Sequence, residues 1–219
     1  MILWLFGCHP TSSISQVANI IERVSLEPTL AHTECPSISQ ALHRDECWLV
    51  ALDQMRNASR TDLENICHML SEKSGECWFR VAEKSNDAAY CEQATPFELD
   101  CRHHQLSRWL FRNKHTDWET ITGYAQSVGL DIERDETLTI LYRHLLSQTP
   151  SIDPTVCTNS RHPEMCIRAG TGMYRDRLRF AESQNHFPCD VATTDPLFHH
   201  QDSTMLTIYQ EFLNANCLD

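Results

Sequence analysis

The sequence predicts an all-α protein, in which disulfide-stapled helical hairpins stack as a short α-solenoid or irregular bundle. Three observations carry that expectation. Apolar residues recur at helical spacing along most of the chain, and alternating strand patterns never persist beyond a few residues. Eleven cysteines fall at intervals that straddle helix boundaries.

The first element is SISQVANIIERVSL, residues 13–26, where Ile14, Val17, Ile21 and Val24 form one apolar stripe opposite polar residues. A repeat follows it. RDECWLVALDQ (44–54) and SGECWFRVAEK (74–84) share Glu-Cys-Trp, and ELDCRHHQLSR (98–108) also sets an acid just before its cysteine. TDLENICHML (61–70) and SNDAAYCEQA (85–94) open on a capping residue with an acid and close on a cysteine. The unit reads as a helix with an early cysteine, a short break, then a helix with a late one. Thr61-x-x-Glu64 reads as a capping box. Thr95 reads as a cap before Pro96 at a first helical position, and Gly75 as a break ahead of Cys77.

With boundaries inside the intervals, the late cysteine of one helix lies near the early cysteine of the next. Bridges Cys35–Cys47, Cys67–Cys77 and Cys91–Cys101 are expected to staple consecutive helices, Cys157–Cys166 to close a short loop, and Cys189 to pair with Cys217. Each loop of roughly ten residues is worth about 2–3 kcal/mol.

Beyond the repeat, TDWETITGYAQSVG aligns Trp118, Ile121, Ala125 and Val128, and Gly129 supplies a stop. RDETLTILYRHLLSQ offers Leu138, Leu141, Tyr142 and Leu145; these two helices look like an unstapled hairpin. STMLTIYQEFLNAN stacks Met205, Ile208, Tyr209, Phe212 and Leu213. Pro150, Pro154 and Pro163 mark a change of texture. The expected organisation is a signal remnant at 1–8, a tether at 9–13, a helical repeat domain at 14–150 and a Cys-pinned helical part at 151–219.

Charge and cysteine chemistry narrow the class of role. Thirty acidic against eighteen basic residues give a net charge of −12, which repels phosphate backbones and argues against nucleic acid. No run approaches the 18–20 apolar residues of a membrane span. The cysteines show neither the C-x2-C pairs of structural zinc nor C-x-x-C-H or C-x-x-C redox motifs. Disulfides in an oxidising space are the remaining reading.

Leu5-Phe6-Gly7-Cys8, followed by the polar HPTSS of His9–Ser13, resembles a bacterial lipobox. The resemblance implies a lipoprotein whose Cys8 carries a diacylglycerol after cleavage, anchored in the cell envelope on its periplasmic or extracellular face. Setting Cys8 aside leaves ten cysteines, an even number. Cys67/Cys77 and Cys91/Cys101 also resemble the twin C-x9-C hairpins of the mitochondrial intermembrane space. That family bonds outer to outer and inner to inner across two uninterrupted helices, whereas Gly75 and Pro96 interrupt both intervals here.

Catalytic motifs are missing from the sequence: there is no G-x-S-x-G, H-E-x-x-H or phosphate-binding glycine loop. Gly170-Thr171-Gly172 reads as a helix cap. His103-His104 and His199-His200 are tandem pairs, and neighbours on a helix point about 100° apart, which suits solvated imidazoles better than one shared ion. Arg168, Arg175, Arg177 and Arg179 read as a solvated face. The expectation is a non-catalytic envelope lipoprotein without cofactor, metal or catalytic residues, anchored through Cys8, that serves protein partners as an interaction or scaffold subunit of an envelope complex. The alternatives are a hydrolase-like enzyme with a carboxylate or histidine groove, a metal or haem carrier, and a twin C-x9-C protein of the mitochondrial intermembrane space.

Overall fold

In the computed structural model, which describes residues 14–148, 157, 160–183 and 207, every regular element among those residues is helical. Contacts divide the chain into two compact units, residues 1–105 and 106–219.

The first unit begins with α1 (Ile14–Leu26), which buries Val17 and Val24, two turns apart, while Ile20 and Ile21 pack partly against the core. Ile14 is 85% exposed, so among the described residues the predicted stripe starts one turn late. A 3₁₀ turn at Pro28–Leu30, α2 (Ala31–Glu34) and a second 3₁₀ turn at Cys35–Ser37 lead to α3 (Ala41–Gln54). α3 buries Cys47, Trp48, Leu49, Ala51 and Leu52. Next come α4 (Arg60–Met69), α5 (Ser74–Ser85), a 3₁₀ turn at Ala88–Gln93 and α6 (Glu98–Arg112).

Local chemistry departs from the expected boundaries in four places. The capping box of α4 is Ser59 with Asp62, not Thr61 with Glu64: Ser59 Oγ accepts from the Asp62 amide at 3.2 Å, and the Asp62 carboxylate accepts from the Ser59 amide at 3.1 Å. Glu64 is taken by the Tyr90 hydroxyl, which donates to it. Gly75 lies inside the first turn of α5 and does not break it; a Cβ there would lie 1.9 Å from the Thr95 carbonyl oxygen, so the position requires glycine for close approach. The second late-cysteine segment is the 3₁₀ turn Ala88–Gln93, not an α-helix: Asn86 in the left-handed region ends α5 just before it, and too few residues remain before Pro96. The Thr95–Pro96 bond is cis and α6 begins at Glu98, so Pro96 precedes that helix.

Four disulfides, Cys35–Cys47, Cys67–Cys77, Cys91–Cys101 and Cys157–Cys166, join the neighbours that the helix boundaries bring together, with Cα separations of 5.7, 5.4, 5.5 and 5.4 Å. The connectivity is therefore not that of the twin C-x9-C hairpin. Cys8, Cys189 and Cys217 lie outside the described residues, as does all of the 203–216 segment but Thr207. Disulfides in this number point to an oxidising compartment. No helix among the described residues is long and apolar enough to cross a membrane.

The Glu-Cys-Trp repeat survives in three dimensions. Trp48 meets the edge of His32 at 5.2 Å, and Trp78 meets the edge of His68 at the same distance. The residue two before each cysteine receives the backbone of the following loop. Asp45, fully buried, accepts the amides of Ser71, Glu72 and Lys73 at 3.0, 2.6 and 3.0 Å on one carboxylate oxygen. Gly75 admits Thr95.

The second unit holds the end of α6, then α7 (Trp118–Ser127), α8 (Asp135–Ser147) and α9 (Pro163–Ser183). Asp117 caps α7 by accepting the Thr120 amide at 2.8 Å, and Gly129, at φ 78°, ends its last turn. α8 packs on α9 around Leu138, Tyr142, Leu146, Ala169 and the Cys157–Cys166 bridge. Trp118 stacks on Tyr142 at 4.8 Å, and Trp109 on Tyr124 at 4.3 Å. Gly170-Thr171-Gly172 runs through the middle of α9, where there is no terminus to cap, with Gly170 and Thr171 buried.

Candidate functional site: a cation-rimmed groove in the second unit

Among the described residues of the second unit, a groove of about 590 Å³ lies between the end of α6 and α8. α6 contributes Ser107, Leu110 and Phe111, and Lys114 and His115 follow directly after its last turn. α8 contributes Ile140, Arg143, His144 and Ser147, with Gln148 beyond. Both walls use the spacing i, i+3, i+4, i+7, the positions that share one face of a helix. Leu110 closes the floor at 4% exposure, whereas its neighbour Phe111 is 76% exposed.

Hydrogen bonds hold the rim in place. Gln148 donates from Nε2 to the Thr116 carbonyl at 3.0 Å, and Asn113 Nδ2 donates to the Trp109 carbonyl at 2.8 Å. Thr116 Oγ1 donates to the Asn113 carbonyl at 2.5 Å and lies 3.5 Å from His144 Nε2. The turn after α6 is thereby tied to α8. Lys114 sits 5.7 Å from the centre of the Phe111 ring, within cation–π reach, and Arg143 pairs with Asp176. Burial lowers the His144 pKa from its ordinary value. On the other side of Phe111 a second depression of about 390 Å³ is lined by Ser107, Arg108 and Arg112. The ring is a ridge with cations on both flanks.

This site escaped the sequence reading, though a signal for it exists. Residues 101–116 contain no Asp or Glu, yet include Arg102, Arg108, Arg112 and Lys114, in a chain whose net charge is −12. A local charge count would have found it; the global balance hides it.

The residues singled out earlier lie elsewhere. His104 Nε2 is 2.7 Å from Glu83 and its ring tilts against Phe79 at 5.6 Å, so this imidazole is engaged within the first unit. Its neighbour His103 also has a partner. Arg168 lies 3.8 Å from Asp135, and Arg175 lines a mixed-charge depression with Asp135, Glu136 and Asp176. The side chains of Arg177 and Arg179, and all of His199-His200, fall outside the described part. In the first unit a groove of about 660 Å³ gathers His32, His68, Asp62, Met55 and Met69, but both histidines are already seated against tryptophans. Among the described residues no three of His, Cys, Asp and Glu come together closely enough to hold a metal ion.

Compared with the models of known protein families, with curated proteins and with solved structures, the chain matches none.

Proposed function

We infer that this chain is a non-catalytic scaffold or adaptor subunit of the bacterial cell envelope, held to the membrane by lipid on Cys8 and acting through contact with a partner protein. One observation carries the reading: an exposed aromatic ridge between cations, mounted on helices whose turns are fixed in advance. Pre-organised surfaces lose little freedom on binding, and aromatic and arginine side chains dominate interface energetics. The oxidising compartment implied by the disulfides agrees with an envelope location. The lipobox-like Leu5-Phe6-Gly7-Cys8 supports the anchor.

Two measurements on protein purified from its own envelope test this. Intact mass is expected to show loss of residues 1–7 and a diacylglyceryl group on Cys8. A photo-crosslinker at position 111 is expected to capture one dominant protein that no longer co-purifies with the Phe111→Ser variant. An unlipidated Cys8 removes the anchor, and the absence of any protein captured from position 111 removes the adaptor role.

A further inference from the structure

The reading as an adaptor leaves open what its groove receives. Resting on that reading, we propose that the occupant is an acidic amphipathic helix of the partner, seated between α6 and α8 with apolar side chains on Phe111 and carboxylates facing Lys114. The two walls carry the first half of the claim. Leu110 and Phe111 on α6, and Ile140 and His144 on α8, sit at the spacing by which helices pack on helices, and among the described residues no third element lies in the groove between them. A groove between two such stripes takes the ridge of another helix, read through side chains at i, i+3, i+4 and i+7. Its volume of about 590 Å³ has room for a few side chains of that ridge.

Charge carries the second half. Within the acid-free run 101–116, Arg108, Arg112 and Lys114 line the depressions that share Phe111, in a protein that is otherwise strongly acidic. Cations gathered at one place on such a surface steer an oppositely charged partner and set its register. A bare anionic membrane suits the face less well. Such attachment rests on attraction to headgroup charge, whereas the groove also presents Leu110, Phe111 and Ile140 to apolar side chains.

The test is fluorescence anisotropy on the full oxidised chain with labelled 14-residue probe peptides. One carries leucine at i, i+3, i+4 and i+7 with glutamate elsewhere; its controls replace every glutamate by glutamine or by lysine. The glutamate peptide is expected to bind, the glutamine peptide at least about tenfold more weakly, and the lysine peptide not at all. Phe111→Ser weakens the glutamate peptide by at least about tenfold, while Phe97→Ser, at a 42% exposed position in the first unit, changes nothing. Because Phe111 is mostly solvent-exposed, its replacement leaves the circular dichroism unchanged.

Equal binding of the glutamine peptide, no binding of the glutamate peptide, or indifference to Phe111→Ser overturns the proposal. Two further results do so as well: tighter binding to phosphatidylglycerol vesicles than to the peptide, and Phe111-dependent binding of a synthetic peptide of residues 203–216, which would make the chain its own ligand. If the crosslinker at position 111 captures a protein through an acid-free segment, this inference fails while the adaptor role stands.

Discussion

The two units close their turns by different means. In the first, disulfides span the connections from Cys35 to α3, from α4 to α5 and from the 3₁₀ turn at Ala88–Gln93 to α6. In the second, the α6–α7 and α7–α8 connections have no such bridge; the Asp117 cap, the left-handed Gly129 and the two stacked pairs Trp109–Tyr124 and Trp118–Tyr142 hold them instead. Caps and stacked rings act within the folded state, whereas a cross-link acts largely on the unfolded chain. Where a helix is positioned by caps and rings on one side, its other side stays open, and the second unit uses that opening for the groove. The one described bridge of the second unit, Cys157–Cys166, lies at the start of α9, so the two connections beside the groove are left without covalent closure.

Breaking the covalent side should have the largest effect. Replacing Cys67 and Cys77 together by serine removes about 3 kcal/mol from the first unit. Chemical denaturation followed by far-ultraviolet circular dichroism will show the loss as a lower midpoint, and an unchanged midpoint would contradict it. Asp45→Ala comes next, at about 2–3 kcal/mol, because the amides of Ser71, Glu72 and Lys73 lose their acceptor inside the protein. Hydrogen exchange at those three amides should rise well before global unfolding.

Glycines then separate the halves by sign. Gly75→Ala drives a methyl group into the Thr95 carbonyl and destabilises by about 1–3 kcal/mol. Gly123→Ala, inside α7, meets nothing within 4 Å and stabilises by about 0.5–1 kcal/mol. Melting temperatures of the two variants should move in opposite directions.

Acid has the smallest effect and divides the halves by pH window. His144 is held below the ordinary value of 6.5 by burial, so the unfolded chain takes up its proton first. Its contribution to the second unit is complete above that value and fades as pH falls through the lowered one; His144→Gln should remove this slope from a series of melts. Asp62 is depressed by hydrogen bonds from the Ser59 side chain and backbone, and Asp117 by the Thr120 amide. Their stabilisation is full above the ordinary aspartate value of 3.8 and disappears only as pH drops through the depressed ones. NMR titration of each group will give the order.

The helical class and the stapled neighbours were legible because both follow from spacing along the chain. Val17 with Val24, or Leu138 with Leu141 and Tyr142, announce their faces by period alone. What was illegible depended on groups distant in sequence. Thr61 and Glu64 have the pattern of a capping box, but Glu64 is recruited by Tyr90, 26 residues on, and Ser59 takes over the cap. Gly75 looks like a helix breaker until the Thr95 carbonyl is placed against it. The groove was missed for another reason: the whole-chain balance hides the acid-free run 101–116, and the lining comes from two helices, α6 and α8, separated in sequence.

The paired roles of Asp45 and Gly75 give the first unit a direction. Each Glu-Cys-Trp segment is completed by chain that leaves the ribosome later, Ser71–Lys73 for Asp45 and Thr95 for Gly75. A nascent chain cut off before residue 71 would leave the Asp45 carboxylate facing no amide, whereas removal of α1 and α2 deprives neither position of its partner. At these two positions, fragments that begin late should accordingly keep the contacts that fragments stopping early lose.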